Sequence, residues 1–266
     1  MTKEFATAAV PIESSTVITT TDQGLVCGDV EIEVDGFLLP AYRAVGIGEA
    51  NAPVVIVIPE IFGLHEHIAD VVRRLAHCGY MAVAPDVMAR HGDATTYENI
   101  EVLRSELVSK ILDTQVLADL DSVIDWAGTQ GGDLSRVGMT GFCWGGRITW
   151  LYAAHQGRAK AAVAWYGRLS GYTSANAPYN PVDIARELQT PVLGLYGEAD
   201  TGIPMDTVKD MQIRLADGTE SSKASGFIIY PDAPHAFYAD YRSTYRPEPA
   251  KEAWQEMLNW FKRNGL

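Results

Sequence analysis

At 266 residues, with 47% hydrophobic and 21% charged residues, the chain is long enough to bury a core without disulfide or metal staples. Its formal net charge of −13 argues against nucleic acid or an anionic membrane as partner, since both need basic surface, but leaves room for a small anion held by a few arginines. The three widely spaced cysteines, Cys27, Cys78 and Cys143, are expected as free thiols in a reducing, cytoplasmic setting, with neither a signal peptide nor a run of about eighteen apolar residues to redirect the chain.

Residues 1–20 are rich in Thr, Ser and Ala without periodicity, which predicts a loosely held extension ahead of one domain over 21–266. From Gly28 to Arg43 apolar residues alternate with acidic ones around Gly36, the pattern of an antiparallel edge hairpin. Val54 to Ile58 is a continuous β-branched run, as in a strand buried on both faces. Ile68, Val71, Val72 and Leu75 share a helix face that ends at Gly79. A short strand follows at Met81 to Ala84, then a second helix around Val116 to Ala127. Further strands are predicted at Val137 to Thr140, Ala161 to Trp165, Val192 to Tyr196 and Phe227 to Tyr230. Helices are predicted over Arg147 to His155, Met205 to Leu215 and Ala250 to Lys262. Alternating buried strands and helices imply an α/β fold, a mostly parallel sheet covered on both faces.

The segment Gly141-Phe142-Cys143-Trp144-Gly145-Gly146 joins a predicted strand to a predicted helix. That is the context of the nucleophile elbow of α/β-hydrolases, where the tight turn needs residues nearly without side chains on either side of the nucleophile. A thiol there lies at a helix N-terminus, which favours the thiolate over a group that is only a few per cent ionised at its usual pKa of roughly 8.5. Cys78, beside Gly79, and Cys27, in the hairpin, lack such a context and are expected to be structural.

A nucleophile of this kind needs a base and an orienting acid, in the order nucleophile, acid, His. Past Cys143 the histidines are His155, about three turns into the elbow helix, and His235, in the loop after the last strand; His235 is the expected base. Asp200, directly after the strand Val192 to Tyr196, is preferred as the acid over Glu198 and Asp206. The oxyanion hole is expected from the N–H groups of Trp144 and of Ile61, in the loop after the first central strand.

These residues together resemble the dienelactone hydrolase (carboxymethylenebutenolidase) family, from about Val30 to the C-terminus. The matching segments are Pro59-Glu60-Ile61-Phe62-Gly63, Ala84-Pro85-Asp86 with Arg90, the elbow, Gly197 to Asp200, and Pro234-His235-Ala236-Phe237. Trp144-Gly145-Gly146-Arg147 and Ala239-Asp240-Tyr241-Arg242 are similar to segments of a bacterial branch of that family. The resemblance implies an α/β-hydrolase fold and a Cys–His–Asp hydrolase of small esters or lactones, needing neither metal nor cofactor. It implies that Glu60 lies beside the thiol and can take its proton. It also implies that arginines bind a substrate carboxylate, with Arg90 at one matching position. The second family position falls on Ala239, so Arg242, the nearest arginine, is the candidate, with Arg147 a third. Two alternatives stay open: a thiol-dependent esterase or acyltransferase acting on neutral esters, and a non-catalytic protein that binds ligands or senses oxidants through its thiol. The expected partner is a small molecule and the expected assembly a monomer or small homo-oligomer.

Overall fold

The β-branched run Val54 to Ile58 lies near the middle of an eight-stranded sheet, and all five of its residues are fully buried. The structure is a computed structural model that describes residues 3–266. In chain order the strands are β1 (Leu25–Val34), β2 (Phe37–Gly46), β3 (Ala52–Ile58), β4 (Met81–Pro85), β5 (Gly132–Phe142), β6 (Ala161–Trp165), β7 (Val192–Gly197) and β8 (Gly226–Tyr230). They assemble in the order β1-β2-β4-β3-β5-β6-β7-β8. The pairs β1–β2 and β2–β4 are antiparallel and every later pair is parallel. The expected edge hairpin is present and turns at Asp35 and Gly36, both with positive φ. The expected α/β-hydrolase architecture is the one observed.

The α-helices are α1 (Glu66–His77), α2 (Ile100–Glu106), α3 (Asp113–Thr129), α4 (Trp144–Ala153), α5 (Pro181–Ile184), α6 (Met205–Ala216), α7 (Glu220–Ala224) and α8 (Pro247–Arg263). The short helices α2, α5 and α7 were not anticipated, because four to seven residues carry too little periodicity to register. Behind the C-terminal ends of β5 and β6, aromatic rings form one packed layer. Trp165 lies 4.5 Å from Tyr238, which stacks on Phe142 at 5.5 Å and on Trp254 of α8 at 5.9 Å. Trp165 and Phe142 are fully buried and Tyr238 nearly so. Each such ring contributes about 2–3 kcal/mol by burial, so this layer firmly seats the segment that follows β8.

Two expectations need correction. Residues 3–20 are not loosely held: Ala6, Ala8 and Ala9 are buried, and the segment is bonded to α1. Glu66 N donates to Glu4 O at 3.1 Å, Thr20 N donates to Asp70 Oδ1 at 2.6 Å, and Arg73 Nε donates to Thr20 O at 3.1 Å. Small residues in irregular backbone pack without leaving a periodic trace, which is why the sequence reads as loose. Cys78, expected in the core, is exposed after the last turn of α1.

Candidate active site

The elbow is a steric necessity. Cys143 sits between β5 and α4 at φ +53° and ψ −112°, a backbone conformation that costs about 1–3 kcal/mol. It is held by Cys143 N donating to Trp165 O at 3.0 Å and by Arg147 N donating to Cys143 O at 3.2 Å. A Cβ on Gly141 would lie 2.3 Å from Gly145 O, one on Gly145 2.3 Å from Ile58 O, and one on Gly146 2.5 Å from Trp165 O. The approach of Gly145 to Ile58 and Pro59 also brings the loop after β3 against the elbow. That proximity joins Ile61 to the same site as Trp144. The N–H of Trp144, first residue of α4, has no intrahelical acceptor, and that of Ile61 has no backbone acceptor among the described residues.

His235 reaches the elbow from the loop after β8. Its Nδ1 donates to Asp200 Oδ2 at 2.6 Å, and Gly202 N donates to Asp200 Oδ1 at 2.9 Å, so both oxygens of the buried carboxylate are engaged. The loops carrying the two residues touch at Gly197, where a Cβ would lie 2.1 Å from Ala233 O. Glu198 and Asp206, the competing acids, are exposed. Burial alone would lower the His235 pKa, but the charges of Cys143 and Asp200 and their hydrogen bonding carry it up to about 10. With its Nδ1 proton on Asp200, Nε2 is the nitrogen left for the thiol side.

Cys143, His235, Glu60 and Ile61 line one cavity of about 120 Å³, closed further by Phe62, Tyr166, Ala236, Ile100, Arg104 and Arg242. Glu60 is 5% exposed, and its Oε1 accepts from His65 Nε2 at 3.2 Å and from the Tyr241 hydroxyl. Burial pushes its pKa up, but His65, His67 and Tyr241 outweigh that and bring it to about 2. The hydroxyl of Tyr166 is buried in the same wall without a partner among the described residues, its ring edge-on to His235 at 5.2 Å.

The arginines separate cleanly. Arg90 turns away from the cavity: it donates twice to Asp119, at 2.8 and 3.1 Å, and to Val34 O at 3.2 Å, with its guanidinium 4.5 Å from the Phe37 ring centre. Arg147 is buried in a two-pronged bond to Asp113, at 2.8 and 2.6 Å, and also donates to Tyr179 O. Both are paired with carboxylates, although the buried Nε of Arg147 has no partner among the described residues, and neither lines the cavity. Arg242 does line it, its guanidinium 5.5 Å from the centre of the Phe62 ring, and no carboxylate pairs with it among the described residues. Arg104 lines it too, from α2, and pairs with Glu101 in solvent at 3.1 Å. Sequence reasoning missed Arg104 because it missed α2. The available signal was Asn99, whose Oδ1 accepts from Glu101 N and Val102 N as an N-cap. The side chains of Trp144, Trp165, Tyr238 and Tyr241 are not among the lining residues.

The model of the dienelactone hydrolase family matches residues 40–265. The chain belongs to that family. A protein of Methylorubrum extorquens named "Putative carboxymethylenebutenolidase" is 50% identical over 267 residues, covering 98% of this chain and 89% of that one. One of Escherichia coli K12 with the same name is 52% identical over 262 residues, 98% of this chain and 95% of its own. A crystal structure described as a "Putative Dienelactone Hydrolase" from Klebsiella pneumoniae is 52% identical, with a TM-score of 0.86 over 90% of this chain and 98% of that one. As a member of the dienelactone hydrolase family the protein is a carboxylic ester hydrolase. No helix among the described residues is long and apolar enough to cross a membrane.

Proposed function

We propose that this protein hydrolyses a small ester or lactone bearing a carboxylate, with Cys143 as nucleophile, His235 as base and Asp200 as the group that orients His235. The observation that carries the reading is the 2.6 Å bond from His235 Nδ1 to buried Asp200, with His235 and the strained Cys143 on the walls of one cavity. The sulfur attacks the carbonyl carbon, and the oxyanion is met by the N–H groups of Ile61 and Trp144. His235 gives a proton to the departing oxygen as the C–O bond breaks, which opens the ring if the substrate is a lactone. Water then adds to the thioester, His235 takes the water's proton, and Cys143 leaves as thiolate with its electron pair. A cavity of about 120 Å³ suits a small acyl group.

Arg242, with no internal carboxylate, and Arg104, whose Glu101 partner is exposed, are the groups placed to hold a substrate carboxylate. Arg90 and Arg147, expected as substrate ligands, are instead paired with Asp119 and Asp113 away from the cavity. The test is kcat/KM for an anionic lactone and a neutral aryl ester in wild type and Arg242→Ala. A fall of about tenfold or more on the anionic substrate alone is expected from loss of a charge-assisted hydrogen bond. Equal effects on both substrates would instead favour a thiol esterase of neutral esters.

A further inference from the structure

Behind Glu60 lies a buried cluster that the proposed hydrolysis does not use. After β3 the chain turns at Gly63, at φ +72°, and enters α1 with His65 as the residue before its first turn. His65 is fully buried, and its Nδ1 has no hydrogen-bond partner among the described residues. Its ring meets that of Tyr241 edge-on at 5.2 Å, and Phe5, from the N-terminal segment, closes over both at 6.0 and 5.3 Å. The Glu60 carboxylate therefore stands at the mouth of an aromatic box. One of its oxygens accepts from both His65 and Tyr241, and the other accepts from no group among the described residues.

An aromatic box is a poor place for a charge, and a carboxyl buried there without donors takes up a proton instead. Two donors on one oxygen reverse that preference. They also fix the rotamer, because the side chain cannot turn without breaking both bonds together. We propose that His65 and Tyr241 are positioning residues that hold Glu60 as an aligned carboxylate, with Oε1 tied and Oε2 kept free toward the cavity that Cys143 lines. This rests on Cys143 being the reactive thiol of that cavity. A proton passing from Sγ to Oε2 breaks the S–H bond, forms an O–H bond and leaves the electron pair on sulfur for its attack, while His235 holds the separate proton that it gives to the departing oxygen and recovers from water. His65 and Tyr241 stabilise the carboxylate over the acid and so set how readily Glu60 accepts that proton. Phe5 keeps water from competing for the two donors, which makes the N-terminal segment a wall of the site.

The groups that face Glu60 are His65 and His67 at the start of α1, Arg104 on α2, Cys143 after β5, Tyr166 after β6, and His235, Tyr241 and Arg242 beyond β8. Removing one donor leaves burial less opposed, so Glu60 then takes up its proton at higher pH. The test is the rate of alkylation of Cys143 by iodoacetamide across pH 4 to 10, followed on the Cys143 peptide by mass spectrometry. Wild type should show no Glu60 step above about pH 4.5. His65→Phe, which keeps a ring but loses the donor, should add a step between about pH 5 and 7 that changes the rate at least threefold. His65→Gln, whose amide can still donate, should restore the wild-type profile. Tyr241→Phe removes a single hydroxyl and should add a smaller step, and it decides the matter alone if His65→Phe does not fold. Profiles of His65→Phe and Tyr241→Phe that superimpose on wild type would overturn the proposal. Alkylation needs no ester turnover, so a shifted profile in a protein that hydrolyses no ester would overturn the proposed function and support this one.

Discussion

A residue that no other can replace sits two positions beyond the thiol. A methyl group at Gly145 would press on the carbonyls of Ile58 and Pro59, which are backbone atoms of the central strand and its exit loop. Gly145→Ala should therefore cost about 3 kcal/mol or more and displace the Ile61 loop. Chemical denaturation reads the first effect and loss of ester turnover the second. At Asp200 the expected outcome is different. Asp200→Asn keeps the shape but presents a mixed donor and acceptor to His235 Nδ1, which upsets the tautomer, so kcat should fall by roughly 10³–10⁴ while the fold survives. Steady-state kinetics beside a circular dichroism spectrum separates the two. The elbow and its partners were legible because tight turns and chain order constrain residue types directly. Arg90 was misplaced for an equally physical reason: a guanidinium goes to whichever carboxylate the fold supplies, and Asp119, on α3, is not visible from the local sequence.

At the scale of elements, the long ones declared themselves through periodicity and the short ones did not. The buried run of β3 and the apolar faces of α1 and α8 were readable, whereas α2, which brings Arg104 to the cavity, was lost in a charged stretch of seven residues. The N-terminal segment shows the same limit. Its attachment depends on bonds from residues far along the chain, including Tyr241 O accepting from Glu13 N at 2.8 Å and Asp240 O accepting from Thr16 Oγ1 at 2.5 Å. Asp240 is itself bound by Arg74 of α1 and by His67 Nδ1 at 3.1 Å. Deleting residues 1–20 should then destabilise the domain by several kcal/mol, since buried donors and acceptors on α1 lose their partners. A urea titration of the truncated and full chains measures this, and equal midpoints would contradict it.

For the molecule as a whole, buried carboxylates set how stability depends on pH. Glu60 is held at about 2, below its ordinary 4.5, so the folded state favours its charged form. The stabilisation is complete above about pH 4.5 and is lost as pH falls through 2, and for this one group it is on the order of 3 kcal/mol. His235 works in the opposite direction: held at about 10, above 6.5, it stabilises fully below about pH 6.5 and loses that contribution as pH rises through 10. Buried Asp86, which burial lifts from 3.8 to about 6, stabilises most below about pH 3.8 and loses that as pH rises through 6, so thermal midpoints should be highest around pH 4 to 5 and fall on both sides. Glu60→Gln should flatten the acid side, which a series of melts checks. The proposed hydrolysis rests above all on covalent chemistry at Cys143. The most direct measurement is intact mass after rapid mixing with an ester whose thioester hydrolyses slowly. Wild type should gain the mass of one acyl group and Cys143→Ala none, with turnover of the ester lost. Equal turnover by Cys143→Ala and wild type would contradict the account at its centre.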